Sequence, residues 1–295
     1  MDFVRTPEDR FTQLPDWPYA PQYVNVQGLR MHYIDEGDGE VVLALHGEPS
    51  WSYLYRKFVP ILSPHVRFIA PDLLGFGRSD KPTHKEDYTF QFHYDSLVEF
   101  IEQLQLRDIT LVVQDWGGLL GLSILGKHPE WFKRVVIMNT FLPKGKPLGL
   151  GFKLWQAYAK YHPNLSIGTI MKIGLHRREN KTRAILDAYR APFPSKKYKA
   201  GAIAFPGLVP SKPHHEAVPY MLQARDTLAR WDKPSLVLFS DKDPITSSAR
   251  DFFVHKIPTA RQESNPVIQG AGHFLQEENG EEIAEQIRHF IMRHA

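Results

Sequence analysis

The sequence predicts an α/β fold: a mostly parallel central sheet, helices on both faces and one long helical insert. Three observations carry that prediction. Short apolar runs alternate with stretches of helical period along most of the chain, as expected for strands covered by helices on either side. Runs such as Val41–Leu45 are continuously apolar rather than alternating, which marks parallel strands buried on both faces. Finally, residues 139–234 separate two late strand-like runs, a connection too long for an ordinary loop and therefore a substructure of its own.

In chain order, 24–26 and 30–34 predict an opening hairpin, and Val41–Leu45 a central parallel strand. His46-Gly47-Glu48-Pro49 breaks that strand, and 51–62 has helical spacing. The run 66–70 is the next strand, closed by Pro71-Asp72 and the turn reaching Gly77. An amphipathic helix is predicted over 90–104, a strand over 109–113, and a helix from Gly117 to about Lys127. The runs 135–138 and 235–239 complete the sheet, and an acidic amphipathic helix over 277–292 ends the chain. Proline, lysine and tyrosine crowd the insert, with helical patches at 152–161 and 180–189. Residues 142–215 are expected to form a cap over the mouth of a main domain made of 1–141 and 216–295. A cap of this kind excludes water from the chemistry beneath it.

Composition narrows the function. The 295 residues are 42% hydrophobic and 23% charged, with a net charge of +3, ordinary values for a globular protein. Mixed charges argue against a nucleic-acid binder, which would show a clustered basic face. Lys196-Lys197-Tyr198-Lys199 is the nearest approach to one and reads as a solvated loop. The absence of cysteine excludes disulfides, thiolate catalysis and thiolate metal sites. MDFVRTPEDRF at the start has charges where a secretory signal needs an apolar core, and no run is long enough to span a bilayer. A cytoplasmic location is expected; a periplasmic one also suits a chain without cysteine.

The stretch ITLVVQDWGGLLG (109–121) holds the chemistry. Strand, sharp turn and helix with small residues after the turn describe a nucleophile elbow, and here Asp115 stands at its apex. Position 113, two before the apex, is valine where the usual pattern has glycine. Aspartate at this point also suits a helix cap, so its partners must decide. The elbow order demands an acid and then a histidine further along. After the 235–239 strand comes Asp241-Lys242-Asp243-Pro244, and near the end stands Gly270-Ala271-Gly272-His273. Of the fourteen histidines, His273 follows a short apolar segment, lies in a glycine-rich turn and obeys the order. Asp243, directly before Pro244-Ile245, is preferred to Asp241. Asn139, after the preceding strand, carries no charge with which to stabilise an imidazolium.

A carboxylate at the apex implies its own chemistry. Aspartate is ionised near neutral pH and needs no base to attack. On an ester or amide it would give a reactive anhydride. On a saturated carbon bearing a leaving group it gives an alkyl ester, stable enough to wait for water. His273 is then available to deprotonate that water while Asp243 holds the ring. The N–H groups of Trp116 and Glu48 are placed to receive the oxyanion. Two leaving groups fit. Halide wants N–H donors in a dry pocket, which the indoles of Trp116 and Trp155 offer. Epoxide oxygen wants a proton donor, and Tyr158, Tyr161, Tyr189 and Tyr198 keep that alternative open. Phe152, Trp155 and Tyr158 also fall at helical spacing and fit plain packing of the insert. A binding protein that has lost turnover is a third reading, against which the complete Asp115, Asp243 and His273 set counts.

HGEPSW (46–51), PDLLGFGRSDKP (71–82), VVQDWGG (112–118), GFKLW (151–155), APFP (191–194) and GAGHFLQEENGE (270–281) together resemble the haloalkane dehalogenases of the α/β-hydrolase fold. The likeness spans essentially the whole chain and is closest to the subfamily whose halide is held by two tryptophans. It implies hydrolysis of haloalkanes through an ester on Asp115, with Asp243 as acid and His273 as base. It also implies Trp116 and Trp155 as halide donors, Phe152 beside them, and Glu48 with Trp116 as oxyanion hole. Another subfamily has asparagine in place of Glu48 and uses its side chain on the halide; an ionised glutamate cannot donate, which supports the two-tryptophan arrangement. No cofactor or metal is implied. The expected partners are a small halogenated alkane and the halide ion, without nucleic acid or membrane, the chain acting as a monomer. Asp72, Gly75 and Gly77 read as loop architecture, and His214-His215, lacking other ligands nearby, as a hinge surface.

Overall fold

Continuous apolar runs become the middle of a seven-stranded sheet. The structure, a computed structural model, describes residues 1–147, 149, 156–157 and 165–295. Its strands are β1 (Gln22–Val26), β2 (Leu29–Glu36), β3 (Val41–Leu45), β4 (Arg67–Pro71), β5 (Ile109–Gln114), β6 (Phe132–Met138) and β7 (Ser235–Leu238). Their spatial order is β1-β2-β4-β3-β5-β6-β7. The predicted hairpin is present as β1 against β2, and β2 also runs antiparallel to β4; the remaining pairs are parallel. Leu45 is opposite Val113, and Gln114 opposite Met138. Loops 46–49, 115–116 and 139–141 therefore leave the sheet side by side at its C-terminal edge, where open α/β sheets place their ligands.

The helices follow the predicted periods with informative exceptions. The stretch expected over 51–62 divides into a 3₁₀ turn, Ser52–Tyr55, and one α-helical turn, α1 (Val59–Leu62), with Pro60 at its start; proline has no N–H to continue a helical ladder backwards. Next come α2 (Phe90–Gln103), whose cap Thr89 accepts the Phe92 N–H at 3.0 Å, and α3 (Trp116–Lys127). Between β6 and β7 lie α4 (Ile167–Gly174), α5 (Arg183–Arg190), α6 (Ala200–Leu208) and α7 (Val218–Leu228). Of the two patches expected there, 180–189 corresponds to α5, and 152–161 lies outside the described residues except for Gln156 and Ala157, which are helical. After β7 come α8 (Arg250–Lys256), α9 (Leu275–Glu278) and α10 (Gly280–Arg293). The predicted final helix is thus broken at Asn279, which turns the chain between α9 and α10.

The long connection is bound to the rest of the protein through α9. Buried Arg56 meets the Glu277 carboxylate with two bonds of 2.6 Å, and Tyr189 of α5 donates to the same carboxylate at 2.7 Å. Removing one partner of such a buried pair strands a charge, whereas the intact pair contributes little net. Glu277→Ala should therefore destabilise the fold by about 3–5 kcal/mol, read from the shift in denaturant midpoint. A loss below about 1 kcal/mol would be the value of a solvated pair instead. Of the basic run 196–199, expected to be solvated, Lys199 departs: it is buried and its Nζ donates to the Leu165 carbonyl at 2.9 Å.

Candidate active site

Asp115 occupies the sharp turn between β5 and α3 with φ 49° and ψ −123°. A left-handed backbone at a non-glycine residue is strained and persists only when its surroundings hold it. They do: the Asp115 N–H donates to the Asn139 carbonyl at 3.0 Å, and its carbonyl accepts from the Thr140 hydroxyl at 2.7 Å. A Cβ on Gly117 would lie 2.1 Å from the Leu45 carbonyl oxygen, and one on Gly118 2.1 Å from Thr140 Oγ1, so neither position tolerates a side chain. The valine at 113 is accommodated from the helix side. A Cβ on Gly121 would come within 2.8 Å of Val113 Cγ1; the small residue has changed places across the strand–helix contact.

The Asp115 side chain does not cap α3. Its Oδ1 accepts the Glu48 N–H at 2.9 Å, and its Oδ2 lies 3.4 Å from His273 Nε2. His273 Nδ1 in turn lies 3.1 Å from Asp243 Oδ2. Asp243 is fixed by the N–H groups of Ile245, at 2.8 Å, and Thr246, at 3.2 Å, and by the Thr246 hydroxyl. Asp241 is engaged elsewhere, accepting the Gly270 N–H at 2.7 Å and pairing with Lys242. A parallel bridge from Ser240 to Ile268 carries the apolar segment before His273 onto the sheet edge. Asn139 donates to the Ser240 hydroxyl at 2.8 Å and to the Gly272 and His273 carbonyls at 3.1 Å, so its amide braces the histidine turn.

Charge distribution follows from this geometry. Burial alone would raise the Asp243 carboxyl, but the His273 charge and the surrounding donors outweigh it and hold it below the ordinary value. Burial would likewise lower the His273 imidazole. Asp243, with a second contribution from Asp115, overcomes that and pushes it up to about 10. Above the ordinary value of 6.5 the unfolded histidine has lost its proton while the folded one keeps it, so stability must fall as pH rises. The contribution is complete below pH 6.5 and disappears on passing about 10. Thermal midpoints of the protein and of His273→Phe, measured between about pH 7 and about pH 10, should converge; parallel curves would contradict the assignment.

These groups open into a cavity of about 290 Å³ walled by apolar side chains that include Leu119, Phe141, Ile170, Val209 and Phe274. Trp116 is buried on its edge, tilted 63° against Phe205 at 4.7 Å. Its indole N–H has no protein acceptor among the described residues.

Comparison with known proteins places this arrangement. The alpha/beta hydrolase fold family matches residues 40–280. A haloalkane dehalogenase of Psychrobacter cryohalolentis is 45% identical over 300 residues, covering 99% of this chain and 98% of the relative. One from Mycolicibacterium paratuberculosis is 46% identical over 297 residues, covering 97% of each. The chain belongs to the haloalkane dehalogenases. Among solved structures, a haloalkane dehalogenase of Paraglaciecola agarilytica NO2 superposes with a TM-score of 0.90 at 40% identity, over 97% of both chains. That dehalogenase is described as tetrameric, which leaves the expectation of a monomer here unsupported. No helix among the described residues is long and apolar enough to cross a membrane.

Set in this dehalogenase, the sequence expectations divide. Asp115, Trp116, Glu48, Asp243 and His273 come together at the strand ends; Phe152 and Trp155 lie outside the described residues, as do Tyr158 and Tyr161. Tyr189 spends its hydroxyl on Glu277, and neither it nor Tyr198 lines the cavity. Asp72 accepts from His32 Nδ1 and from the N–H groups of Ser52 and Arg78, each at 2.7 Å, a loop-organising role. His215 accepts the Ala217 N–H at 3.2 Å. One expectation needs correction. Glu48 was expected to be ionised and so unable to donate, but its side chain is buried in the cavity wall, Oε1 has no partner, and Asp115 is beside it. Burial, reinforced by the Asp115 charge, pushes its carboxyl well above the usual range and favours the neutral, donating form. Two neighbours went unnoticed in the sequence. Phe205 braces Trp116, and the Gln114 amide nitrogen lies 3.2 Å from both Nε2 and the carbonyl oxygen of His273. Only the adjacency of Gln114 to the apex could have pointed to it.

Proposed function

We propose that this dehalogenase hydrolyses haloalkanes to alcohol, halide and a proton through an ester on Asp115. The supporting observation is one carboxylate with its two oxygens differently engaged, Oδ1 on the Glu48 N–H and Oδ2 facing His273 Nε2 and the cavity. Oδ2 attacks the carbon opposite its halogen; the C–O bond forms as the C–halogen bond breaks, and the halide leaves with the bonding pair. Trp116 and Trp155 are the proposed halide donors, with Phe152 beside them. Water then gives a proton to His273 Nε2 and adds to Asp115 Cγ. The oxyanion on Oδ1 rests against the N–H groups of Glu48 and Trp116, the latter without an intrahelical partner at the start of α3. Collapse expels the alcohol, restores the carboxylate and leaves the His273 proton to depart with the halide. Asp243 holds the ring throughout. Residues 142–215 serve as the cap, and 1–141 with 216–295 as the main domain.

The epoxide alternative lacks a comparable observation, since no tyrosine hydroxyl among the described residues faces the cavity. Acid quenching during turnover of a bromoalkane should yield an Asp115 peptide heavier by the alkyl group. Bromide should quench tryptophan fluorescence, less so in Trp116→Phe. An unmodified peptide together with indifference to bromide would reject the mechanism.

A further inference from the structure

We propose that Glu278 is a positioning residue that ties the cavity wall to the histidine. The inference rests on the reading of His273 as the base of ester hydrolysis. Glu278 is buried at the end of α9, five residues beyond His273. Its Oε1 accepts the His176 N–H at 2.7 Å and the Arg177 N–H, and its Oε2 accepts the Gly272 N–H at 2.6 Å. His176 and Arg177 continue from α4, whose Ile170, Ile173 and Gly174 line the cavity; Gly272 immediately precedes His273. One carboxylate thus joins the wall that contacts substrate to the turn that carries the base.

Two further features make the junction stiff. The His273 N–H donates to the Gly174 carbonyl at 2.8 Å, and a Cβ on Gly272 would lie 2.3 Å from that same oxygen. Arg177 adds a parallel strap, its guanidinium donating to the Gly270 carbonyl at 3.1 Å and the Gln269 carbonyl at 3.0 Å. Three N–H donors converging on one group demand an acceptor-only side chain, which an ionised carboxylate supplies and an amide does not. Glutamine would set an NH₂ against at least one N–H. The wall and His273 then lose their common anchor, and the 3.4 Å separation of His273 Nε2 from Asp115 Oδ2 is no longer held from behind.

The consequence is selective. Alkylation uses Asp115, which is fixed by the elbow, while hydrolysis needs His273 aligned with a water. Glu278→Gln should slow ester hydrolysis roughly 10–100-fold, the effect of a misplacement near 1 Å, and leave the alkylation rate within a factor of about 3. The test is rapid acid quench with a bromoalkane, following the alkylated Asp115 peptide by mass spectrometry alongside halide release. The expected result is a larger alkylated fraction at steady state than in the parent protein. Should Glu278→Gln fail to fold by circular dichroism, Arg177→Met, which cuts the parallel strap without burying a charge, should shift the same partition in the same direction. Equal slowing of both steps, or an unchanged partition, overturns the proposal. His273→Phe separates the two levels: absence of any Asp115 adduct in that variant defeats the covalent reading, whereas an adduct there with a normal partition in Glu278→Gln defeats only the anchor.

Discussion

Replacing Asp115 by alanine should lower halide release by roughly ten-thousand-fold or more, the scale on which loss of a nucleophile is felt. No neighbour can substitute. Glu48, the other carboxyl in the cavity wall, is pushed toward its neutral form by burial and by Asp115 itself, and a protonated acid is a poor nucleophile. Asp243 is ionised but faces Nδ1 of His273, on the far side of the ring from Asp115. The fold should survive, because the bonds that hold the elbow come from the backbone of residue 115: its N–H to Asn139 and its carbonyl from Thr140. The side chain contributes no helix cap, so the missing contact is the Glu48 N–H. Alanine in the left-handed region costs about 1–2 kcal/mol, a modest loss for a chain of this size. An ion-selective electrode with a bromoalkane checks the rate, and circular dichroism the fold. Release above about 1% of the parent rate would show that another group attacks.

Much of this site was legible because strain leaves marks in sequence. A left-handed apex requires small neighbours, and Gly117-Gly118 record it; a triad order requires Asp243 before His273, and the glycines at 270 and 272 flag the turn. The departure at Val113 looked like a weakness and is a relocation, since Gly121 on the facing helix supplies the missing space. What could not be read depends on three-dimensional company. Glu48 resembles an ionised surface glutamate until its burial against Asp115 is known. Gln114 and Phe205 act through neighbours distant in sequence, with 159 positions separating Gln114 from His273. The helical breaks at Pro60 and Asn279 arise because periodicity continues through a turn that the backbone does not follow. The lid aromatics at 152 and 155 were named by spacing alone, a signal equally suited to packing.

Substituting His273 by phenylalanine should separate the two halves of the reaction. The first half needs an ionised Asp115, and that carboxylate keeps the Glu48 N–H at 2.9 Å, so alkylation should proceed and release up to one halide per active site. The second half has no base, and turnover should then fall by roughly a thousandfold or more. The intact protein avoids this stall through a change in charge. In the resting site the imidazole is pushed up to about 10, with Asp243 and Asp115 overcoming burial, so it holds a proton and cannot act as base. Forming the ester removes the Asp115 charge and its bond to Nε2, both of which raise that value. Burial then counts for more, and the ring moves toward the neutral form just when a water must be deprotonated. Asp115→Asn imitates the ester by neutralising residue 115, and the His273 pKa, followed by NMR titration, should drop below its resting value. A histidine that titrates identically in both proteins would break the link between alkylation and base activation, and a His273→Phe protein that continues past the first halide would remove the base itself from residue 273.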